Sequence, residues 1–221
     1  MKKLSVLYVV FLALLAVPTQ ADIIYDNFGP GDTYHQNTGW TLSGGSPIDK
    51  DWDQGSAFAL DSFGMDYYLD TIDLAVGLVS GPNELDVWLM TDSAGEPDTI
   101  IESFHFSDEM GSFGDLSPPL TANSLLNPLL EADEQYWLIA SATGPDTWAA
   151  WNLNSTGDVG LRAYRADLGT WGVSERTKGV FRVTGTPISV TPVSVSEPAT
   201  ILLFGSALIC VAVFSRKLNK K

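Results

Sequence analysis

Cysteine is nearly absent from the chain: the only one, Cys210, lies inside an apolar run close to the C-terminus. The remainder can form no disulfide and offers no thiol nucleophile or cysteine metal site, so its stability must come from core burial or a bound metal. Histidine is equally scarce. His35 and His105 are the two side chains that could carry protons near neutral pH, and His105, set between Phe104 and Phe106, reads as the polar face of a strand. Basic residues are few as well: between Asp22 and Pro198 there are six against all 27 acidic ones, a formal charge of −21. A surface of that sign repels phosphate backbones, which excludes nucleic acid, and disfavours peripheral binding to anionic lipid. It admits cations and neutral sugars, or serves solubility alone.

Enzyme signatures are missing too. No Gly-x-Ser-x-Gly elbow, His-Glu-x-x-His pair, phosphate loop or dinucleotide fingerprint occurs, and the chain is expected to be non-catalytic. Its carboxylates are so numerous that a glycosidase pair could be placed only by the fold, so a glycan-active hydrolase stays as a third reading.

What the chain does have begins at its ends. Lys2 and Lys3 precede an apolar run from Leu4 to Val17, followed by Thr19-Gln20-Ala21. This is the order of a secretory signal peptide, with cleavage expected after Ala21 and residues 1–21 removed. At the other end, residues 199–214 (ATILLFGSALICVAVF) are apolar without a charge, and Arg216, Lys217, Lys220 and Lys221 follow in the basic end 216–221. Basic flanks stay in the cytoplasm, so 199–214 is expected to be a transmembrane helix with the acidic region outside.

Ser196-Glu197-Pro198-Ala199-Thr200 stands directly before that span, and with the apolar run and the basic end it resembles the PEP-CTERM sorting signal of Gram-negative bacteria. The resemblance covers residues 195–221; the usual motif is Pro-Glu-Pro, and Ser196 replaces its first proline. It implies recognition at 196–198 by an exosortase, a membrane-embedded transpeptidase-like enzyme. It also implies export across the inner membrane, anchoring by the helix before processing, and a final place on the cell surface or outside, in association with exopolysaccharide. A Leu-Pro-x-Thr-Gly sortase signal is absent, and a GPI signal would not end in four basic residues.

Between the ends, apolar residues alternate at period two. Leu69, Ile72, Leu74, Val76 and Leu78 form one stretch, Leu85, Val87 and Leu89 the next, and Gly81-Pro82-Asn83 lies between; the spacing predicts two strands joined by a tight turn. Further strands are expected over 23–28, 57–63, 100–106, 136–142, 147–153, 160–165 and 180–184, with one short helical turn possible within 123–134. Eight or nine short strands separated by Gly, Pro, Asn and Asp clusters predict an all-β fold over 22–184, a β-sandwich or jelly roll, with a closed barrel as the alternative. Residues 185–195, rich in Ser, Thr, Val and Pro, read as a linker to the sorting segment 196–221, or as a last strand through 188–190.

Tyr25-Asp26-Asn27, Ser56-Ala57-Phe58, Val87 to Asp92 with Gly95-Glu96-Pro97, and Tyr136-Trp137-Leu138 together resemble the choice-of-anchor domains that accompany PEP-CTERM tails. That resemblance implies architecture and location, not an activity.

Two binding chemistries are suggested by pattern. Asp49, Asp51 and Asp53 alternate ahead of Gly55, as in calcium loops where alternate side chains converge on one cation. The spacing departs from an EF-hand, with Leu60 where a bidentate Glu belongs, and a solvated acidic turn is the other reading. Trp40, Trp52, Trp148, Trp151 and Trp171 fall near expected loops and strand ends, where indoles either stack on sugar rings or fill the core. A carbohydrate-binding or calcium-dependent adhesion module is therefore the alternative to a purely structural surface protein. Asn154-Ser155-Thr156 matches the N-glycosylation pattern and reads as a turn.

Overall fold

The computed structural model describes residues 21–45, 48–60 and 64–188. These form strands and loops only. In chain order the strands are β1 (Asp22–Asp26), β2 (Tyr34–Ser43), β3 (Trp52–Ala59), β4 (Tyr67–Leu74) and β5 (Val76–Ser80). Then come β6 (Glu84–Ser93), β7 (Glu96–Ser107), β8 (Gly111–Ser112), β9 (Leu120–Asn123) and β10 (Leu129–Leu130). The last five are β11 (Gln135–Ala142), β12 (Trp148–Asn154), β13 (Val159–Ala166), β14 (Gly172–Thr177) and β15 (Phe181–Pro187).

Five strands make a small antiparallel sheet, β1-β15-β4 with β9 and β10 both on the far side of β4. The other ten make a large sheet along β7-β6-β11-β3-β2-β12-β5-β8, with β13 and β14 added beside β3. All its pairs are antiparallel except β5 with β8. The two sheets face each other as a β-sandwich, each giving one side of its alternating strands to a shared core.

Leu69, Ile72, Leu74, Phe181 and Val183 enter that core from the small sheet, and Phe58, Leu85, Val87, Leu89, Leu138 and Trp151 from the large one. Phe181 is its hub: Tyr25 stacks on it at 4.5 Å, and Phe58 and Trp151 meet it edge-on at 5.7 and 6.0 Å. Burying side chains of this size contributes about 1.5–3 kcal/mol each, which lets a chain without disulfides hold together.

Several expectations are corrected. The alternation from Leu69 to Leu78 is not one strand paired with the next. It is two strands in different sheets, because the chain crosses at Ala75, whose N–H donates to Val180 O at 3.4 Å and whose carbonyl accepts from Asn152 N at 3.0 Å. Both sheets line one core, so the period survives the crossing, while β5 pairs with β12 instead of forming a hairpin with β6. The hairpin lies one strand later, between β6 and β7. Its two-residue turn, Ala94-Gly95, has φ of 54° and 86°, the left-handed pair that matches strand twist.

The strand expected at 57–63 starts earlier, at Trp52, so part of the acidic loop is strand. No helical turn forms within 123–134, where β10 pairs with Tyr67 and Tyr68. The final strand continues through Pro187, three residues past the expected end of the domain, because Gly185, Thr186 and Pro187 keep register with Leu69, Tyr68 and Tyr67. Among the described residues no helix is long and apolar enough to cross a membrane; the expected span at 199–214 and residues 1–20 of the signal peptide lie outside them.

Candidate functional site

The sorting residues Ser196 to Thr200 lie outside the described residues, so the site geometry available is that of the domain.

The five tryptophans singled out in the sequence do not form one platform. Trp151 is fully buried and its Nε1 donates to Val180 O at 3.0 Å, which makes it core and corrects its place in a sugar site. Trp40 donates Nε1 to Thr177 O at 3.1 Å and lies under the Arg162 guanidinium at 3.6 Å. Arg162 also covers Tyr164 at 4.7 Å, and Tyr164 tilts against Trp52 at 6.4 Å. The guanidinium forks onto Gln54 Oε1 at 3.0 and 2.6 Å, and burial pushes its pKa down to about 10, still charged at neutral pH. Trp148 opens β12 and is half-buried.

Trp171 belongs to a second arrangement on the opposite face of β13, since Arg162 and Arg165 differ by an odd step along the strand. The Arg165 guanidinium lies 4.4 Å from the Trp171 ring and 5.7 Å from that of Trp88, while its Nε donates to Asp53 Oδ2 at 2.7 Å. Trp88 sits on β6 between Val87 and Leu89, whose side chains fill the core, so its indole must point to the outer face of the large sheet. There Trp88, Trp171, Leu161 and Val173 pack on a second apolar cluster of Ala57, Met90, Trp137, Ile139 and Ala163.

At the edge of that cluster an open cleft of about 600 Å³ is lined by Trp88, Asp51, Asp53, Ser141, Thr143 and Leu168 among others. Its lining brings together the Trp88 indole, the exposed Asp51 and Thr143, and the buried Asp53 held by Arg165. The sequence pattern does contain the signal for Trp88, an indole at the outward step of Leu85, Val87 and Leu89. It was obscured because loop position, not strand parity, selected the other tryptophans.

Asp49, Asp51 and Asp53 are not gathered on one point. Asp53 is buried on β3 in its ion pair with Arg165, whereas Asp49 is exposed at a left-handed turn with φ of 56°. Among the described residues no group of three or more His, Cys, Asp or Glu is placed to hold a metal ion. Asn154 of the glycosylation-like tripeptide is also committed: it is buried, and its Nδ2 donates to Asp158 O and Lys178 O, both at 2.9 Å. His105 lies outward as its strand pattern implied, Nδ1 at 2.7 Å from Asp86 and Nε2 at 3.1 Å from Glu84.

The motifs that resemble choice-of-anchor domains have structural roles. Asp92 accepts from Gly95 N at 3.0 Å, from Trp137 Nε1 at 2.7 Å and from Gln135 Nε2 at 2.7 Å, tying the β6–β7 turn to β11. Asn27 accepts from Phe181 N at 2.8 Å and donates to Gly179 O at 3.1 Å, and Ser56 Oγ accepts from Gly179 N at 3.2 Å, so both fix the entry to β15.

Compared with known families, residues 194–217 match the PEP-CTERM protein-sorting motif. The match begins six residues beyond the described domain and spans the Glu-Pro-Ala-Thr sequence, the apolar run and the first basic residues. No curated protein matches the chain. The chain thus carries a PEP-CTERM sorting motif, which implies an exported protein sorted by an exosortase to the cell envelope or surface.

Proposed function

We propose that this is a non-catalytic structural component of the surface or extracellular matrix of a Gram-negative bacterium, associated with exopolysaccharide. Residues 1–21 direct it across the inner membrane, 22–184 with the first residues of the linker form the ectodomain, and 185–195 space it from the sorting segment 196–221. The apolar run 199–214 anchors the chain until an exosortase acts at Ser196-Glu197-Pro198. The match at 194–217 carries this reading. It follows closely on an acidic, disulfide-free β-sandwich whose ordering depends on packing and hydrogen bonds, as suits a binding or spacer module.

The cleft beside Trp88 supports sugar association over hydrolysis. An aromatic wall with a carboxylate and hydroxyls beside it suits a neutral pyranose, whereas Asp53, one of its two lining carboxylates, is committed to Arg165 at 2.7 Å. The same ion pair speaks against calcium-dependent adhesion through Asp49, Asp51 and Asp53.

Deleting residues 194–217 in the native cell tests the proposal. The expected result is loss of the protein from the surface and matrix fractions and from pelleted exopolysaccharide. An unchanged distribution would overturn it.

A further inference from the structure

Four exposed large apolar side chains lie close together along the chain and across the small sheet. Leu125 is 89 % and Leu126 68 % exposed, and the neighbouring Leu129 and Tyr68 are 40 % and 47 % exposed. Leu129 pairs with Tyr68 across β10 and β4, which puts the two side chains together on the outer face of the small sheet. Exposed apolar side chains gathered in this way on an acidic domain call for something that covers them.

The patch is built, not frayed. Glu102, 5 % exposed on β7, accepts hydrogen bonds from Leu125 N at 2.8 Å, Leu126 N at 3.1 Å and Ser124 Oγ at 2.7 Å. Asn127 Nδ2 donates to Leu69 O at 2.9 Å, Leu69 N donates to Pro128 O at 3.0 Å, and Ser124 N donates to Asp70 O at 2.9 Å. A buried carboxylate and three ties to β4 thus hold the loop with both leucines turned out to solvent. Ordering of that kind lowers the entropy lost when the leucines are covered.

The position of the chain exit indicates what covers them. Thr186 and Pro187 pair with Tyr68 and Tyr67 on the other side of β4, and Ile188 N donates to Asp66 O at 2.9 Å. The chain therefore leaves the domain about two strand spacings, about 10 Å, from Leu129. Ten residues, 189–198, separate this exit from the apolar run 199–214, a tether that reaches at most about 35 Å when fully extended. A patch beside the exit is then held at high local concentration next to whatever bilayer carries the run.

We propose that Leu125 and Leu126, supported by Leu129 and Tyr68, form a membrane-contact surface that seats the domain on the outer face of the bilayer before the tail is processed. This rests on the anchoring role proposed above for 199–214. The contact is apolar and shallow, of the kind made by leucines entering the headgroup boundary. Asp66, Asp70 and Glu131 flank it in the sequence and weaken it on anionic lipid, so a zwitterionic surface is the favoured one.

The test uses the chain purified from membranes and reconstituted in phosphatidylcholine nanodiscs. A bimane probe is placed at Leu125→Cys, with Cys210→Ser removing the other thiol, and a matched probe at Leu168→Cys in the exposed turn between β13 and β14. Quenching by headgroup-spin-labelled phosphatidylcholine is expected to be about threefold stronger at position 125, and to fall when Leu126 and Leu129 are changed to Ser. Equal, weak quenching at both positions with free access to aqueous iodide would overturn the proposal. Shielding from iodide without lipid quenching would also overturn it, and would assign the patch to a protein or a second copy. A chain never recovered with membranes would remove the anchoring itself, and the seating with it.

Discussion

Asp22 pairs with Gly185, so the first strand of the domain lies against the last. The expected cleavage after Ala21 would leave this pairing complete, with the new amino terminus beside the exit toward the sorting segment. β1 adds Ile24 and Tyr25 to the core, and the Tyr25 hydroxyl donates to Asp158 while accepting from Lys178 Nζ at 3.3 Å. Burial, with Asp158 adjacent, holds the Tyr25 phenol well above its ordinary pKa, so it is a neutral donor throughout the working range. Tyr25→Phe should cost about 1–2 kcal/mol in urea unfolding, the range of a partly buried hydrogen bond to a charged group. An unchanged midpoint would mean that Asn27 and Lys178 satisfy Asp158 without it.

Asp92 is the more demanding position. Its carboxylate joins the Ala94-Gly95 turn to Trp137, which is fully buried. Asp92→Ala leaves a buried indole N–H without its acceptor and loosens the hairpin, and should cost about 2–3 kcal/mol. Thermal or urea unfolding measures this, and Asp92→Asn, which keeps one acceptor oxygen, should recover part of the loss.

His105 provides a pH signature. Its hydrogen bond to Asp86, followed by the charges of Asp86 and Glu84, raises its pKa above the ordinary 6.5. A group whose folded pKa is raised contributes its stabilisation fully below the unfolded value and loses it as pH rises through the folded value. NMR titration should therefore show His105 titrating above 6.5, with Asp86→Asn bringing it back toward that value. The side chain is exposed, so added salt should shrink the effect.

The fold was legible where alternation is set by one face of one sheet. β6 and β11 follow directly from Leu85, Val87 and Leu89 and from Tyr136 to Ala142. It was not legible where pairing depends on residues far away. β2, Tyr34–Ser43, has no clear period; it is held by β12 through a bulge at Asn152, whose Nδ2 donates to His35 O and Gln36 O at 3.0 Å. The crossing at Ala75 was hidden because both sheets serve one core. At the candidate site, Asp53 looked like a cation ligand because spacing alone does not reveal Arg165, 112 residues away, as its partner. The sorting motif needed none of this, since its information is linear: a short motif, an apolar run and a basic end.

The Trp88 cleft makes a separate prediction. With methyl glucoside, galactoside, mannoside and N-acetylglucosaminide at tens of millimolar, on the order of weak single-ring binding, the Trp88 indole N–H should shift in NMR spectra while that of Trp151 stays still. Trp88→Ala should weaken binding about tenfold or more, equal to about 1.4 kcal/mol. Binding that survives Trp88→Ala but is lost on Trp148→Ala would move the site to the start of β12.

The most direct test of sorting is the intact mass of the protein from its native cell, wild type beside Glu197→Ala and Pro198→Ala. The account predicts a wild-type species that begins at Asp22 and lacks the apolar tail, and variants that accumulate with the tail attached. A wild-type mass that retains residues 199–221, unaltered by either substitution, would contradict it and leave a permanently membrane-anchored ectodomain in its place.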